Sequence, residues 1–219
     1  VNSAFVYVSY LIMPAATAIA VPILLKLRKV KFPGLVPVAR PSADSAKWCG
    51  AAVLLAFGML FTLSWVNIGF GELLRLAGYS GDAVYFPDLS GGGVALALFV
   101  MALIPALFEE TLFRGVILQS IKGHVGEVNA VLLCGLCFAL FHASALQTFY
   151  QFLCGCAFAL LAIRARSVLP CMIAHFLNNG ALIVMQACGA DTDGTLFDIA
   201  PLWAAVLVTV LSAVSLAMA

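Results

Sequence analysis

The residues of this chain that could do chemistry lie inside apolar stretches, where charged groups are rare. They are Glu109-Glu110-x-x-x-Arg114, His142 at the end of Phe138-Ala-Leu-Phe-His142, and His175-x-x-x-Asn179. An acidic side chain within a membrane span costs about 2.5–3.5 kcal/mol on insertion scales, so two adjacent carboxylates need a reason to be there. Glu110 and Arg114 are four residues apart, share a helix face and can pair. Glu109 is turned about 100° from Glu110, off that face. Arg114 is therefore expected to neutralise Glu110 and to leave Glu109 as an unpaired carboxylate, the form a general base needs. The competing reading is that both glutamates pair with arginine or backbone and only hold helices together.

His142 and the His175 pair have similar two-sided readings. A lone histidine at a span end also describes an interfacial polar tip. His175 and Asn179 face the same way on a helix, with Asn178 near that face, and such pairs also serve as interhelical hydrogen bonds. Together, however, a carboxylate, two histidines and an amide on three stretches can converge on one cavity. They would supply a base, a water-orienting group and neutral donors for an oxyanion. No serine or cysteine stands beside a base as a nucleophile. Ser144 is two residues from His142 but has no second feature marking it. The expected chemistry is hydrolysis by an activated water. His124, in the polar Lys122–Glu127 segment, is expected to be merely solvated.

These residues must be positioned by membrane helices. The chain is 64% hydrophobic and 10% charged, with mean hydropathy +1.11, a composition outside the range of soluble domains. About seven helices of about 20 residues each would use the whole length. The expected fold is all-α: a polytopic integral membrane bundle of about seven transmembrane helices around an intramembrane cavity. Residues 1–219 form one domain, with a catalytic core at about 94–187. The spans read as Phe5 to Leu25, Trp48 to Phe70, Val94 to about Ile121, Val128 to Phe141, Thr148 to Ile163, Leu169 to Ala187 and Ile199 to Met218. Gly50 and Gly58 are candidate close-packing points in the second span. No internal repeat is visible. The seven cysteines are expected to be reduced packing residues; Cys134-x-x-Cys137 lies mid-helix with no second pair at ligand spacing.

The loop charges sort by side. Lys26, Arg28, Lys29, Lys31, Arg40 and Lys47 surround the first loop, Lys122 lies in the third, and Arg164 and Arg166 in the fifth. The intervening loops hold only Arg75 among basic residues and carry Glu72, Asp82, Asp88, Asp191, Asp193 and Asp198. The positive-inside rule places odd-numbered loops and the C-terminus in the cytoplasm, with a plasma membrane or its equivalent as the expected location. No cleavable signal peptide is expected, because basic residues rather than a small-residue cleavage site follow the first apolar stretch.

The three motifs, in this order, resemble those of the CAAX protease and bacteriocin-processing family of intramembrane proteases, which includes the type II CAAX prenyl endopeptidases. Phe113-Arg114-Gly115 and His175-Phe-Leu-Asn-Asn179 add to the resemblance, which covers about Pro105 to Gly180. The resemblance implies that Glu109, helped by His142, activates water for attack on a scissile carbonyl. It implies that His175 and Asn179 stabilise the oxyanion and that Glu110 and Arg114 are the structural pair. Zinc is conceivable on Glu109, His142 and His175 but is not favoured, because Asn179 suits an oxyanion donor better than a zinc ligand. No cofactor is expected. The expected partners are a membrane-associated peptide or protein substrate and the lipid bilayer, with no nucleic acid. Two other readings stay open: a non-catalytic membrane scaffold or regulator of the same fold, and a small proton-coupled transporter. One geometric obstacle stands. His142 lies near the outer end of its span and His175 about two turns into its own from the inside, a depth mismatch on the order of 10 Å.

Overall fold

The computed structural model describes residues 2–29, 31–79, 85–189 and 202–218. Among them every regular element is helical. The long helices are α1 (Ser3–Arg28), α2 (Ala43–Leu76), α3 (Gly93–Val125), α4 (Glu127–Phe141), α5 (Thr148–Ala165), α6 (Leu169–Ala187) and α7 (Leu202–Met218). A single turn, Phe32–Leu35, sits in the first connection. Five helices, α1, α2, α3, α5 and α6, are long and apolar enough to cross a membrane; α4 and the segment Val206–Ser215 of α7 are shorter apolar helices. The protein is an integral, multi-pass membrane protein.

Local sequence explains where these helices begin and end. Asn2 caps α1 by accepting from the Ala4 amide, and Lys29 ends it in the left-handed conformation. Ser42 and Ser45 form a reciprocal capping box at the start of α2. Helix α6 begins and ends at the expected residues, whereas α2 and α3 outrun the expected spans, because their polar ends continue helical past the apolar stretch. His124 is thus in the last turn of α3 rather than in a loop. The expected start of the last span at Ile199, and Asp82, Asp191, Asp193 and Asp198, lie outside the described residues.

Helix α3 is not uniformly wound. Wider π turns at Leu98–Leu103 and Thr111–Ile117 flank an α-helical segment, Ile104–Glu110, that carries both glutamates. Around it lies a core that includes Met59, Phe113, Phe138 and Phe158. Helices α4 and α5 cross at Gly135 and Gly155, where a Cβ on Gly155 would stand 2.7 Å from the Gly135 Cα. Small residues let the two backbones meet this closely. Gly50 is expected to serve in this way, but among the described residues nothing lies within 4 Å of the position its Cβ would take. The cysteines among the described residues are all free thiols.

The bundle has two distinct ends. At one, the Val168 amide donates to the Pro37 carbonyl (2.8 Å) and the Ala39 amide to Ser167 Oγ (3.1 Å), tying the first and fifth connections together. Pro37, Lys122 and Arg166 also line one small cavity of about 300 Å³, which brings in the last turn of α3. At the other end, the Asp88 amide donates to Ser3 Oγ (2.9 Å), joining the start of α1 to the approach to α3. Helix α7 is tied to α2 by a 2.9 Å hydrogen bond between Thr62 and Ser212.

Candidate active site

Arg114 and Glu110 are both fully buried, with Nη1 2.9 Å from Oε1. The pair joins the last turn of the α-helical segment to the π turn that follows it. The same Glu110 oxygen lies 2.7 Å from His175 Nδ1 on α6. Once Glu110 is ionised its oxygens only accept, so Nδ1 carries the hydrogen and Nε2 is the ring nitrogen left for other chemistry. Arg114 Nη2 donates to the Gly155 carbonyl (3.2 Å) on α5. Its Cζ stands 4.3 Å from the ring centroid of Phe138, 5.2 Å from that of Phe158 and 5.9 Å from that of Phe113. A dry guanidinium is stabilised by such aromatic faces.

His142 follows the last residue of α4, and its Nδ1 donates to the Phe138 carbonyl (2.8 Å). A carbonyl can only accept, so this histidine too keeps Nε2 as its uncommitted nitrogen. Glu109 is 7% exposed, and its Oε2 has no hydrogen-bond partner among the described residues. Asn179 Nδ2 donates to the Met101 carbonyl (3.2 Å) in the first π turn of α3. Asn178, one residue earlier, accepts from the Tyr150 hydroxyl (3.1 Å).

A single cavity of about 820 Å³ is bordered by Glu109, His142, His175 and Asn179 together. Glu110 and Arg114 are not among its lining residues; they form a charged layer behind the wall. The depth mismatch expected from the spans does not keep the two histidines apart. His142 folds back onto α4, and the Phe138 ring lies 4.6 Å from its ring and 6.0 Å from that of His175.

Two contacts differ from the spacing argument. Glu110 serves His175 as well as Arg114, and Asn179 commits one N–H to backbone. Both arise between helices, which spacing along one helix does not reach. Tyr150, the Gly155 carbonyl and the rings of Phe113 and Phe158 were not singled out from sequence. A faint signal existed on α5, where Tyr150, Cys154 and Phe158 recur every four residues and all border the cavity. Among the described residues, no group of three or more His, Cys, Asp or Glu is arranged to hold a metal ion.

Fold and site define a class: a helical, multi-pass membrane protein with a largely apolar cavity backed by a buried Glu–Arg–His cluster. Residues 91–181 match the family model of type II CAAX prenyl endopeptidase Rce1-like proteins. That segment contains all three motifs, and the resemblance to this protease family is thereby shown for it. No curated protein matches the chain, and no solved structure does.

Proposed function

We propose that this protein is an intramembrane endopeptidase that hydrolyses a peptide bond with a water activated by Glu109 and His142. The observation that carries this reading is the shared cavity. It brings an unpartnered carboxylate, two histidines with uncommitted Nε2 atoms and an amide to one space.

The mechanism follows from proton bookkeeping. With both glutamates ionised and Arg114 charged, the buried cluster carries one net negative charge, which a dry site resists. One further proton balances it. Placed on His175, it makes an imidazolium that donates Nδ1–H to Glu110 and Nε2–H toward the cavity. His142, neutral, accepts a hydrogen bond from water at Nε2 and orients it. Glu109 removes the other water proton as the oxygen attacks the scissile carbonyl carbon. The negative charge passes from Glu109 to the carbonyl oxygen, where His175 and the second N–H of Asn179 stabilise it. Collapse breaks the C–N bond, and Glu109 returns its proton to the departing amine, leaving a carboxylic acid and an amine. No step is routed through a metal.

The substrate class is a membrane-associated peptide or protein. The positive-inside rule supports a cytoplasmic location for the basic end of the bundle and for the C-terminus, in a plasma membrane or its equivalent. The test is cleavage of a membrane-peptide library by wild type and by Glu109→Gln, at matched folding. Cleavage by wild type alone is the expected result. Equal cleavage, or none by either, would overturn the proposal, and the latter would favour a scaffold.

A further inference from the structure

We infer that Asn178 and Tyr150 form a peptide-backbone subsite in the cavity: the Asn178 amide donates to a carbonyl of the substrate chain away from the scissile bond, and the Tyr150 hydroxyl oxygen accepts from a neighbouring N–H. This inference rests on the cavity being the hydrolytic site, as proposed above, and adds how a substrate segment is held there.

The two successive asparagines of α6 have different partners. Consecutive helical residues are turned about 100° from one another. Asn179 reaches α3, where its Nδ2 donates to the Met101 carbonyl (3.2 Å), whereas Asn178 reaches α5, where its Oδ1 accepts from the Tyr150 hydroxyl (3.1 Å). An amide side chain has one acceptor oxygen and two N–H donors. The Tyr150 contact occupies the oxygen and so fixes which edge of the amide is left over. Asn178 is only 7% exposed. Among the described residues its N–H groups have no acceptor, yet Nδ2 is not sealed off from open space. Asn178 and Tyr150 both border the cavity of about 820 Å³, which is where those donors can find a partner. A ligand that fills this cavity must offer them an acceptor, because a desolvated donor left unpaired is costly.

What the pair leaves open matches one class of ligand. The Tyr150 oxygen gives its hydrogen to Asn178 and keeps lone pairs, while Asn178 keeps N–H groups. A peptide group carries the complement, one N–H and one C=O. Backbone recognition of this kind is indifferent to residue type, so sequence preference falls to the apolar wall, which includes Phe158, Leu182 and Ile183. The subsite also differs in kind from the oxyanion donors. A donor to a non-reacting carbonyl binds substrate and transition state alike, so its loss raises KM and leaves kcat little changed.

The probe is the peptide cleaved fastest from the membrane-peptide library, with a series in which each peptide bond except the scissile one is replaced in turn by an ester. An ester lacks the N–H and is a weaker acceptor. On wild type, one ester position near the scissile bond should raise KM about 3–10-fold, the size of one net hydrogen bond. Tyr150→Phe should raise KM for the all-amide peptide by a similar factor, about 3–10-fold, and should abolish the ester penalty at that position. A Tyr150–Asn178 contact that only ties α5 to α6 would instead lower the melting temperature of Tyr150→Phe while KM and the ester profile stayed as in wild type, and that result would overturn the inference. So would a wild-type ester profile with no sensitive position, whether or not the variant folds. Both results leave hydrolysis by Glu109 standing. Only a wild type that cleaves nothing, or a Glu109→Gln that cleaves, removes that reading, and this inference with it.

Discussion

Arg114 shows how this site tolerates charge without water. One carboxylate oxygen, one backbone carbonyl and three aromatic faces surround it, while its Nε and the second Glu110 oxygen have no hydrogen-bond partner among the described residues. Glu110→Gln leaves the guanidinium without its counter-charge and is expected to cost roughly 3–5 kcal/mol, read as lost thermal stability in detergent. Glu109→Gln removes a group whose Oε2 has no partner, so stability should hold while turnover is abolished. Equal loss of activity at unchanged stability in both variants would refute this division of roles. Asn179→Ala should lower kcat by about 10²–10³ with little change in KM if its free N–H meets the oxyanion. The Met101 contact sets a separate, smaller expectation of about 0.5–1.5 kcal/mol in stability. A variant whose lost activity tracks lost folding would take Asn179 out of the mechanism. At this scale the Glu110–Arg114 contact was readable because both partners sit on one helix. The His175–Glu110 contact joins residues 65 apart and was not.

The crossing of α4 and α5 is what brings the Gly155 carbonyl to Arg114. Gly155→Ala would push a methyl group against the Gly135 backbone, where no flexible side chain can give way. Overpacking of this kind costs about 1–3 kcal/mol, and here it should also displace an Arg114 acceptor, so activity and melting temperature should fall together. Gly50→Ala is the matched control. Nothing lies near that position, and alanine is the better helix former by about 1 kcal/mol, so stability should hold or rise. A destabilised Gly50→Ala with a normal Gly155→Ala would invert the packing assignment. The sequence marks Gly50 and Gly58 in α2 for close approach and passes over Gly135 and Gly155, because only the direction a glycine faces decides whether it is used. The π turns flanking Ile104–Glu110 were likewise unreadable, because a hydrophobic repeat does not distinguish one wide turn from the average winding of α3.

The molecule as a whole joins its first and fifth connections and the basic last turn of α3 at one end of the bundle. The proposed hydrolysis by Glu109 and His142 includes no metal step, so turnover should survive exhaustive chelation, and elemental analysis should find less than stoichiometric zinc. A tightly held zinc whose removal stops turnover would instead make Glu109, His142 and His175 ligands, with the metal activating the water.

Much of this was settled by the amino-acid sequence alone. Apolar composition and span length dictate a helical membrane bundle, loop charges divide its two ends, and three motifs mark where the chemistry-bearing residues lie. Each of these is a local property: it depends on residue type and on spacing within one helix. The tertiary structure decided the rest. It gave Glu110 a second partner in His175, wrapped Arg114 in three phenylalanines, paired Tyr150 with Asn178 and brought Glu109, His142, His175 and Asn179 to the border of one cavity. These contacts depend on how helices rotate and cross, which is set by side-chain volumes summed over many interfaces at once. No single stretch of sequence carries that sum.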